Sequence, residues 1–152
     1  MATPEFACEV AAIAIQTTNR VSLQRPIMLG NISPTPMLAV KDVARARRFY
    51  EETLDLEAVP GDMEDILQYR AGNSIFVVYP SQYAGTNKAT ALTWTVGDEL
   101  DKEVEALKRK GVAFERYELP DTVRKGDIHV AGEIRNAWFK DPDGNIHALS
   151  NR

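Results

Sequence analysis

The sequence predicts an α+β fold in which two βαβββ modules form one domain, each module a curved sheet with a helix on one face. Two segments, 43–54 and 99–110, carry apolar residues at spacings of three and four, which indicates amphipathic helices. Short runs bounded by turn residues precede and follow each helix and indicate strands. Val-Lys-Asp at 40–42 and Val-Gly-Asp at 96–98 occupy the same place in each half, so the order of elements repeats.

The first module is predicted over 32–80. Its first strand, 37–40, follows two prolines, which are tolerated at the entry of a strand but not in its middle. Asp42 is expected to be the N-cap of the helix 43–54, because its side chain can accept a hydrogen bond from the first helical turn. Three short strands complete the module, at 56–59, 66–71 and 74–79.

The second module is predicted over 89–152. An alternating strand at 91–96 leads to Asp98, the expected N-cap of the helix 99–110, and Gly111 ends that helix. Acidic residues in the first turn and basic residues in the last follow the order that the helix dipole favours. Three strands follow, at 112–117, 134–139 and 145–150.

Residues 1–31 differ from the rest, because no turn-bounded strand occurs in them. We predict an N-terminal extension, either disordered or an artefact of start-site assignment, since Met28 stands just before the first regular element. The apolar run 10–15 is far shorter than the roughly 20 residues of a membrane helix, and the first residues lack a basic signal-peptide region. We therefore expect a cytoplasmic protein without a membrane partner.

Composition and charge exclude further classes of function. A net charge of −4 over 152 residues, with both signs scattered along the chain, offers no basic face, so no nucleic-acid partner is expected. The single cysteine, Cys8, cannot form an internal disulfide. The two histidines, His129 and His147, do not form a short-spaced pair, which excludes a histidine-rich metal site.

Three groups of residues resemble the vicinal oxygen chelate superfamily, which holds glyoxalase I, bleomycin-resistance proteins and extradiol dioxygenases. They are Leu-Ala-Val-Lys-Asp at 38–42 with Arg-Ala-Arg-Arg-Phe-Tyr at 45–50, Leu-Lys-Arg-Lys-Gly-Val at 107–112, and Phe-Lys-Asp-Pro-Asp-Gly-Asn at 139–145. The resemblance covers residues 33–152 and implies two modules around a concave cavity. The bare sheet faces must close on each other, on a ligand or on a second subunit, and we expect a homodimer.

The resemblance also implies where a metal would bind. Catalytic members hold a divalent ion through His, Glu or Gln side chains on the first and last strands of the modules, and the matching positions here are Thr35, Phe76, Ala91 and Ala148. Phenylalanine and alanine carry no donor atom, and a neutral hydroxyl is a poor ligand for transition metals. We therefore expect no metal and no cofactor.

A small hydrophobic or aromatic molecule is the expected ligand, bound or sequestered without a metal, because the residues expected to face the cavity are mostly apolar. The expected lining residues are Met37, Phe76, Ala91, Thr93, Thr95 and Ala148. Two aromatic residues near strand ends, Tyr69 and Trp138, are further candidates for stacking on a flat ligand. The alternative is a structural or interaction domain whose core these side chains fill.

A second alternative is a divergent lyase, isomerase or dioxygenase-type enzyme. The polar connection 119–132 is long, so it could cover the cavity as a lid and present His129 to a substrate. Asp127 and Glu133 are the other candidates for proton transfer. His147 is instead expected to face a helix as a hydrogen-bonded structural residue.

Overall fold

The computed structural model of the chain describes residues 29–152. By its internal contacts the chain divides into two units, Met1–Ser33 and Pro34–Arg152, and both sheets lie in the second. In the first unit, Leu29–Asn31 form a single 3-10 turn. The rest of the predicted extension lies outside the described residues, so that assignment stays a prediction.

The first module forms a four-stranded sheet behind one helical segment. Its strands are β1 (Met37–Val40), β2 (Glu57–Val59), β3 (Leu67–Ala71) and β4 (Ser74–Pro80). The spatial order is β1-β4-β3-β2, with β1 parallel to β4 and the other pairs antiparallel. All four strands were predicted, to within a residue at each end.

The helical segment of the first module changes its geometry halfway. The helix α1 (Val43–Arg48) begins at Asp42, whose Oδ1 accepts a hydrogen bond of 2.9 Å from the Arg45 N–H, as predicted. A π turn over Phe49–Thr53 completes the predicted 43–54 helix. Asp55 then has a φ of 58°, and this left-handed residue ends the segment.

The second module forms a larger sheet with the same core arrangement. Its strands are β5 (Thr90–Thr95), β6 (Phe114–Glu115), β7 (Val123–Lys125), β8 (Ile128–Ala131), β9 (Ile134–Lys140) and β10 (Ile146–Ser150). The order is β5-β10-β9-β8-β7, with β5 parallel to β10, and β6 also pairs with β9. The helix of this module, α2 (Leu100–Arg109), covers one face of the sheet. The prediction of Asp98 as its N-cap is wrong, because Asp98 lies in a 3-10 turn (Gly97–Glu99) before the helix and, within the described residues, no side-chain hydrogen bond caps α2.

Gly111 ends α2 as predicted, at a φ of 87°. The N–H of Gly111 donates to the Lys108 carbonyl at 2.9 Å, and the N–H of Val112 donates to the Leu107 carbonyl at 3.0 Å. This pair of bonds is the Schellman motif, in which glycine is preferred because the left-handed conformation is unfavourable for a residue with a Cβ.

The predicted long connection at 119–132 is wrong, because most of it is a β-hairpin. The strands β7 and β8 pair through a two-residue turn, Gly126 and Asp127, with Lys125 opposite Ile128. A second two-residue turn, Gly132 and Glu133, joins β8 to β9. Glycine at positive φ followed by an acidic residue is typical of tight hairpin turns, so the segment widens the sheet and is no lid.

The core lies on the helix-covered side of each sheet. The first cluster comprises Leu38, Val40, Ala46, Tyr50, Leu67, Tyr69, Phe76 and Val78. The second comprises Leu100, Val104, Val112, Ile128, Ala137, Phe139 and Leu149. Phe49 and Leu54 pack against both clusters, so the two modules share one apolar interior. The predicted fold of two βαβββ modules is confirmed.

No helix within residues 29–152 has the length and apolar character needed to cross a membrane.

Candidate functional site

The face of the second sheet that α2 does not cover is called here the helix-free face. In the strand register Ala148 stands beside Thr93 on one side and beside Trp138 on the other. Since side chains alternate along a strand, these three lie opposite the helix-facing Trp94 and Leu149. The helix-free face carries Thr93, Thr95, Asn136, Trp138, Ala148 and Ser150.

An aromatic cluster occupies this face. The ring of Trp138 lies 5.6 Å from that of Tyr117 and 5.0 Å from that of His129, at interplanar angles of 72° and 76°. Its indole Nε1–H donates to the Thr90 hydroxyl at 3.2 Å, which fixes the orientation of the ring. The indole is half-buried, so one part of it packs in the cluster and another contacts solvent.

His129 is held by the backbone of Tyr117, and only 3% of it is exposed. Its Nε2 lies 3.0 Å from the Tyr117 amide nitrogen and 3.1 Å from the Tyr117 carbonyl oxygen. Within residues 29–152, the His129 Nδ1 and the Tyr117 hydroxyl are buried without a hydrogen-bond partner. Burial raises the pKa of Tyr117, and the nearby Glu115 raises it further while Lys140 lowers it.

The three candidates for proton transfer are not brought together. Asp127 turns towards α2 and forms ion pairs of 3.2 Å with Lys108 and with Arg116. Burial acts to raise the pKa of Asp127, but the hydrogen bonds from these two cations outweigh it and leave the pKa below its usual range. Glu133 stands in an exposed hairpin turn and pairs with Arg152 at 2.7 Å. His129 contacts neither carboxylate, so the predicted catalytic set does not form one site.

Four of the predicted ligand-binding residues lie on the helix-free face: Thr93, Thr95, Trp138 and Ala148. Met37 lies on the face of the first sheet opposite its core and is 57% exposed. Ala91 is half-buried beside a bulge in the β5–β10 pairing and packs against the first core cluster.

Two predicted ligand-binding residues lie instead in the core. Phe76 is 2% exposed and packs 5.7 Å from the ring of Tyr50, because in β4 it shares its face with Val78. The residue of β4 that lies opposite the core is its neighbour Val77, since a shift of one residue exchanges the two faces of a strand. Tyr69 is also fully buried, and its hydroxyl donates to Glu51 at 3.2 Å.

Tyr117 was not among the predicted site residues. The sequence predicts a strand over 112–117, whereas the strand β6 ends at Glu115 and the following chain folds over His129. The contact of Tyr117 with Trp138 depends on this early exit from the sheet, which no spacing in the sequence indicates.

His147 is structural, as predicted. The Tyr50 hydroxyl donates to Asp141 Oδ2 at 2.7 Å and lies 3.2 Å from His147 Nε2. Because the hydroxyl proton is directed at the carboxylate, the imidazole Nε2–H donates to the Tyr50 oxygen. Burial lowers the pKa of His147 to about 4, against the opposing effect of Asp141. Burial and the adjacent Asp141 raise the pKa of Tyr50 well above its usual value.

Comparison with known proteins decides the family. The family model of the glyoxalase/bleomycin resistance protein/dioxygenase superfamily matches residues 32–148, which is most of the chain. The chain belongs to this superfamily. Comparison of the sequence with curated proteins returns no match.

Solved structures of the superfamily fold resemble the chain at low sequence identity. The fosfomycin resistance protein FosX from Mesorhizobium loti is 14% identical, with 80% of this chain and 92% of that chain covered and a TM-score of 0.58. FosX from Listeria monocytogenes is 16% identical, with coverage of 78% and 89% and a TM-score of 0.60. The oxidase ChaP-H2 is 21% identical, with coverage of 80% and 94% and a TM-score of 0.59. These likenesses concern the fold.

The described residues do not fit the divalent metal that catalytic members of the superfamily bind. Of the positions that the resemblance implies, Ala148 lies on the helix-free face without a donor atom, and Phe76 lies in the core. Among residues 29–152, no group of three or more His, Cys, Asp or Glu side chains is placed to hold a metal ion.

Proposed function

We propose that the protein binds or sequesters a small hydrophobic or aromatic molecule on the helix-free face of its second sheet, without a metal. The observation that carries this proposal is the half-buried Trp138, held by Thr90 and flanked by Tyr117 and His129. A large apolar ring with a fixed orientation and a solvent-exposed part suits stacking on a flat ligand.

The neighbours of Trp138 support an apolar ligand. Ala148 stands directly beside Trp138 in the strand pairing, and Thr93 stands beyond it. Ala148 is buried in the sheet, whereas Thr93 is exposed, so its hydroxyl can orient a polar group of a ligand that stacks on the indole. Neither residue carries the charge that a sugar phosphate or another strongly anionic ligand requires.

The chain has two tryptophans, Trp94 and Trp138, on opposite faces of the second sheet, and this allows a matched fluorescence experiment. In Trp94→Phe, Trp138 is the only indole, and a panel of flat aromatic compounds is titrated while its emission is followed. We expect saturable quenching by at least one compound. In the matched variant, Trp138→Phe, the same compound should not quench Trp94 over the same range of concentrations.

Quenching of Trp94 alone, or a linear and unsaturated response of both indoles, would contradict a site on the helix-free face. Substituting Thr93→Arg gives a further check, because Thr93 is exposed on the helix-free face and a charge there disfavours an apolar ligand. We expect this variant to fold and to weaken the quenching, whereas Ala131→Arg, at an exposed strand end, should retain it.

The enzyme alternative receives no support from the placement of His129, Asp127 and Glu133, since each has different partners. The similar structures include fosfomycin resistance proteins and an oxidase, but at their identities the likeness concerns the fold. Binding or sequestration is the function that the aromatic cluster favours.

We also propose that the protein is a homodimer. Both β1 and β5 are edge strands within the described residues, and Met37 on β1 exposes a large apolar side chain. Edges of this kind pair readily with a second copy. Light scattering coupled to gel filtration should give about twice the chain mass of 16.9 kDa. Met37→Glu should shift the mass towards the monomer, and a monomeric parent protein would refute the proposal.

A further inference from the structure

A cleft of about 160 Å³ lies on the helix-covered side of the second sheet, away from the helix-free face. It opens between α2 and the segment that follows the π turn. Its lining includes Leu54, Leu56, Trp94, Glu103, Leu107 and Phe139. Except for Glu103, they are all apolar, and two of them are aromatic.

The backbone on one side of the cleft has an unusual conformation. Asp55 is one of two described residues other than glycine with a positive φ, 58°, and it stands between Leu54 and Leu56. The Leu56 N–H donates to the Tyr50 carbonyl at 3.0 Å, across the π turn. Asp55 ends the helical segment in this conformation, and the leucines on either side of it both line the cleft.

The aromatic residues of the cleft are ordered against each other. The rings of Trp94 and Phe139 lie 6.2 Å apart and only 19° from parallel. Trp94 is half-buried, so part of its indole borders the cleft. An aromatic molecule entering the cleft would therefore meet an aromatic surface together with four leucine side chains.

The charge at the cleft comes from one carboxylate. On α2 and the turn before it, Asp101 pairs with Arg135, Glu105 with Lys108 and Glu99 with Lys102. Glu103 takes part in no ion pair among residues 29–152, and it is the one charged residue that lines the cleft. A cation at this position would gain a carboxylate that has no competing partner.

We infer that this cleft is a second binding site, distinct from the helix-free face, for a small aromatic amine in its ammonium form. The volume is close to that of an apolar cavity that accepts benzene, about 150 Å³. The ring of such a ligand lies against Trp94 and the leucines, and its ammonium group lies beside the Glu103 carboxylate. A neutral molecule of the same shape binds more weakly, and an anionic one is repelled.

Three probes of one shape test this assignment: benzylamine, benzyl alcohol and benzoate. They are titrated into Trp138→Phe at neutral pH, where Trp94 is the only indole. We expect a saturable change in Trp94 emission, with benzylamine binding more tightly than benzyl alcohol and benzoate binding least. The dissociation constant of benzylamine should be about three- to five-fold lower than that of benzyl alcohol, which is the gain that an exposed ion pair provides.

Glu103→Gln in the same background should remove that preference while benzyl alcohol binds as before. The matched control is Glu105→Gln, which removes a carboxylate of the same helix that points away from the cleft lining and pairs with Lys108. We expect the preference to persist in this control. Both changes are at exposed positions of α2, so the variants are expected to fold.

Several results would overturn the inference. One is the absence of a saturable change in Trp94 emission. Another is an equal preference for benzylamine over benzyl alcohol in Glu103→Gln and Glu105→Gln. A third is a Trp94 signal that depends on protein concentration and not on benzylamine, which would identify a second copy of the chain as the occupant. A response of Trp138 in Trp94→Phe without one of Trp94 would also refute this site, yet it would support the proposed function. Failure of the two proposals is therefore distinguishable.

Discussion

Replacing Tyr50 by phenylalanine removes a single hydroxyl from the buried contact between the two modules. That hydroxyl donates to Asp141 at 2.7 Å and accepts the Nε2–H of His147 at 3.2 Å. Asp141 retains three donors without it, namely the N–H groups of Asp143 and Asn145 and the side-chain amide of Asn145. His147 is fully buried, and its Nε2–H is left without an acceptor.

The magnitude follows from these two losses. A buried donor left without an acceptor costs about 1–3 kcal/mol, and a carboxylate that loses one of four hydrogen bonds adds a smaller amount. We expect Tyr50→Phe to lower the free energy of unfolding by about 3 kcal/mol. The aromatic contacts of the ring with Phe49, Tyr69 and Phe76 remain, so no cavity term is added.

Urea unfolding at neutral pH measures the loss, and Tyr69→Phe is the matched control. The Tyr69 hydroxyl donates to Glu51 at 3.2 Å, a carboxylate that is only half-buried, so its removal should cost about 1 kcal/mol. If the free energy of unfolding falls with urea concentration at the same slope in both variants, both expose the same amount of surface on unfolding. Equal losses in the two variants, or a smaller loss for Tyr50→Phe, would refute the assigned role of the buried network.

Three further predictions concern pH, backbone and metal. Because the pKa of His147 falls from 6.5 in the unfolded chain to about 4 in the folded one, the unfolded chain binds the proton first as pH falls. Stability should therefore drop by about 2 kcal/mol between pH 6.5 and about pH 5, and His147→Gln should lose this part of the pH dependence in urea titrations. Gly85→Ala should destabilise by about 1–3 kcal/mol more than Gly97→Ala. Both glycines have positive φ, but only at Gly85 would a Cβ lie 2.5 Å from the Asp143 carbonyl oxygen. Equal midpoints of thermal unfolding for the two variants would contradict this. Elemental analysis after incubation with Zn, Ni, Mn and Fe(II) and dialysis should find no stoichiometric metal, and one retained equivalent would overturn the assignment of a metal-free site.

Local chemistry explains which parts of the fold could be predicted. Asp42 and Gly111 set the ends of the helices through bonds with their immediate neighbours, so both were predicted from sequence. The hairpin turns at Gly126 and Gly132 have the same local character, and glycine followed by an acidic residue was a sufficient signal for them. The hairpin was missed because the length of the segment was interpreted as evidence for a loop.

The site was harder to predict because it depends on register and on distant contacts. Phe76 was assigned to the wrong face by a shift of one residue, which sequence alone cannot fix when both neighbours, Ile75 and Val77, are also apolar. Trp138 was singled out as an aromatic residue, but its contact with Tyr117 depends on where the chain leaves β6. His147 was placed correctly, because the alternation in β10 fixes its face relative to Ala148.

The contact between the modules also bears on how the protein unfolds. The Asn145 amide donates to the Ala39 carbonyl at 2.9 Å, and the Lys41 N–H donates to Asp143 at 3.0 Å, so the turn near the end of the chain is bound to the first strand. Phe49 packs against both core clusters. Separating the halves would therefore expose buried surface on each, and the two modules are expected to melt in one cooperative transition, although each repeats the same order of elements. A protein cut between them would regain its structure only when both fragments are present together.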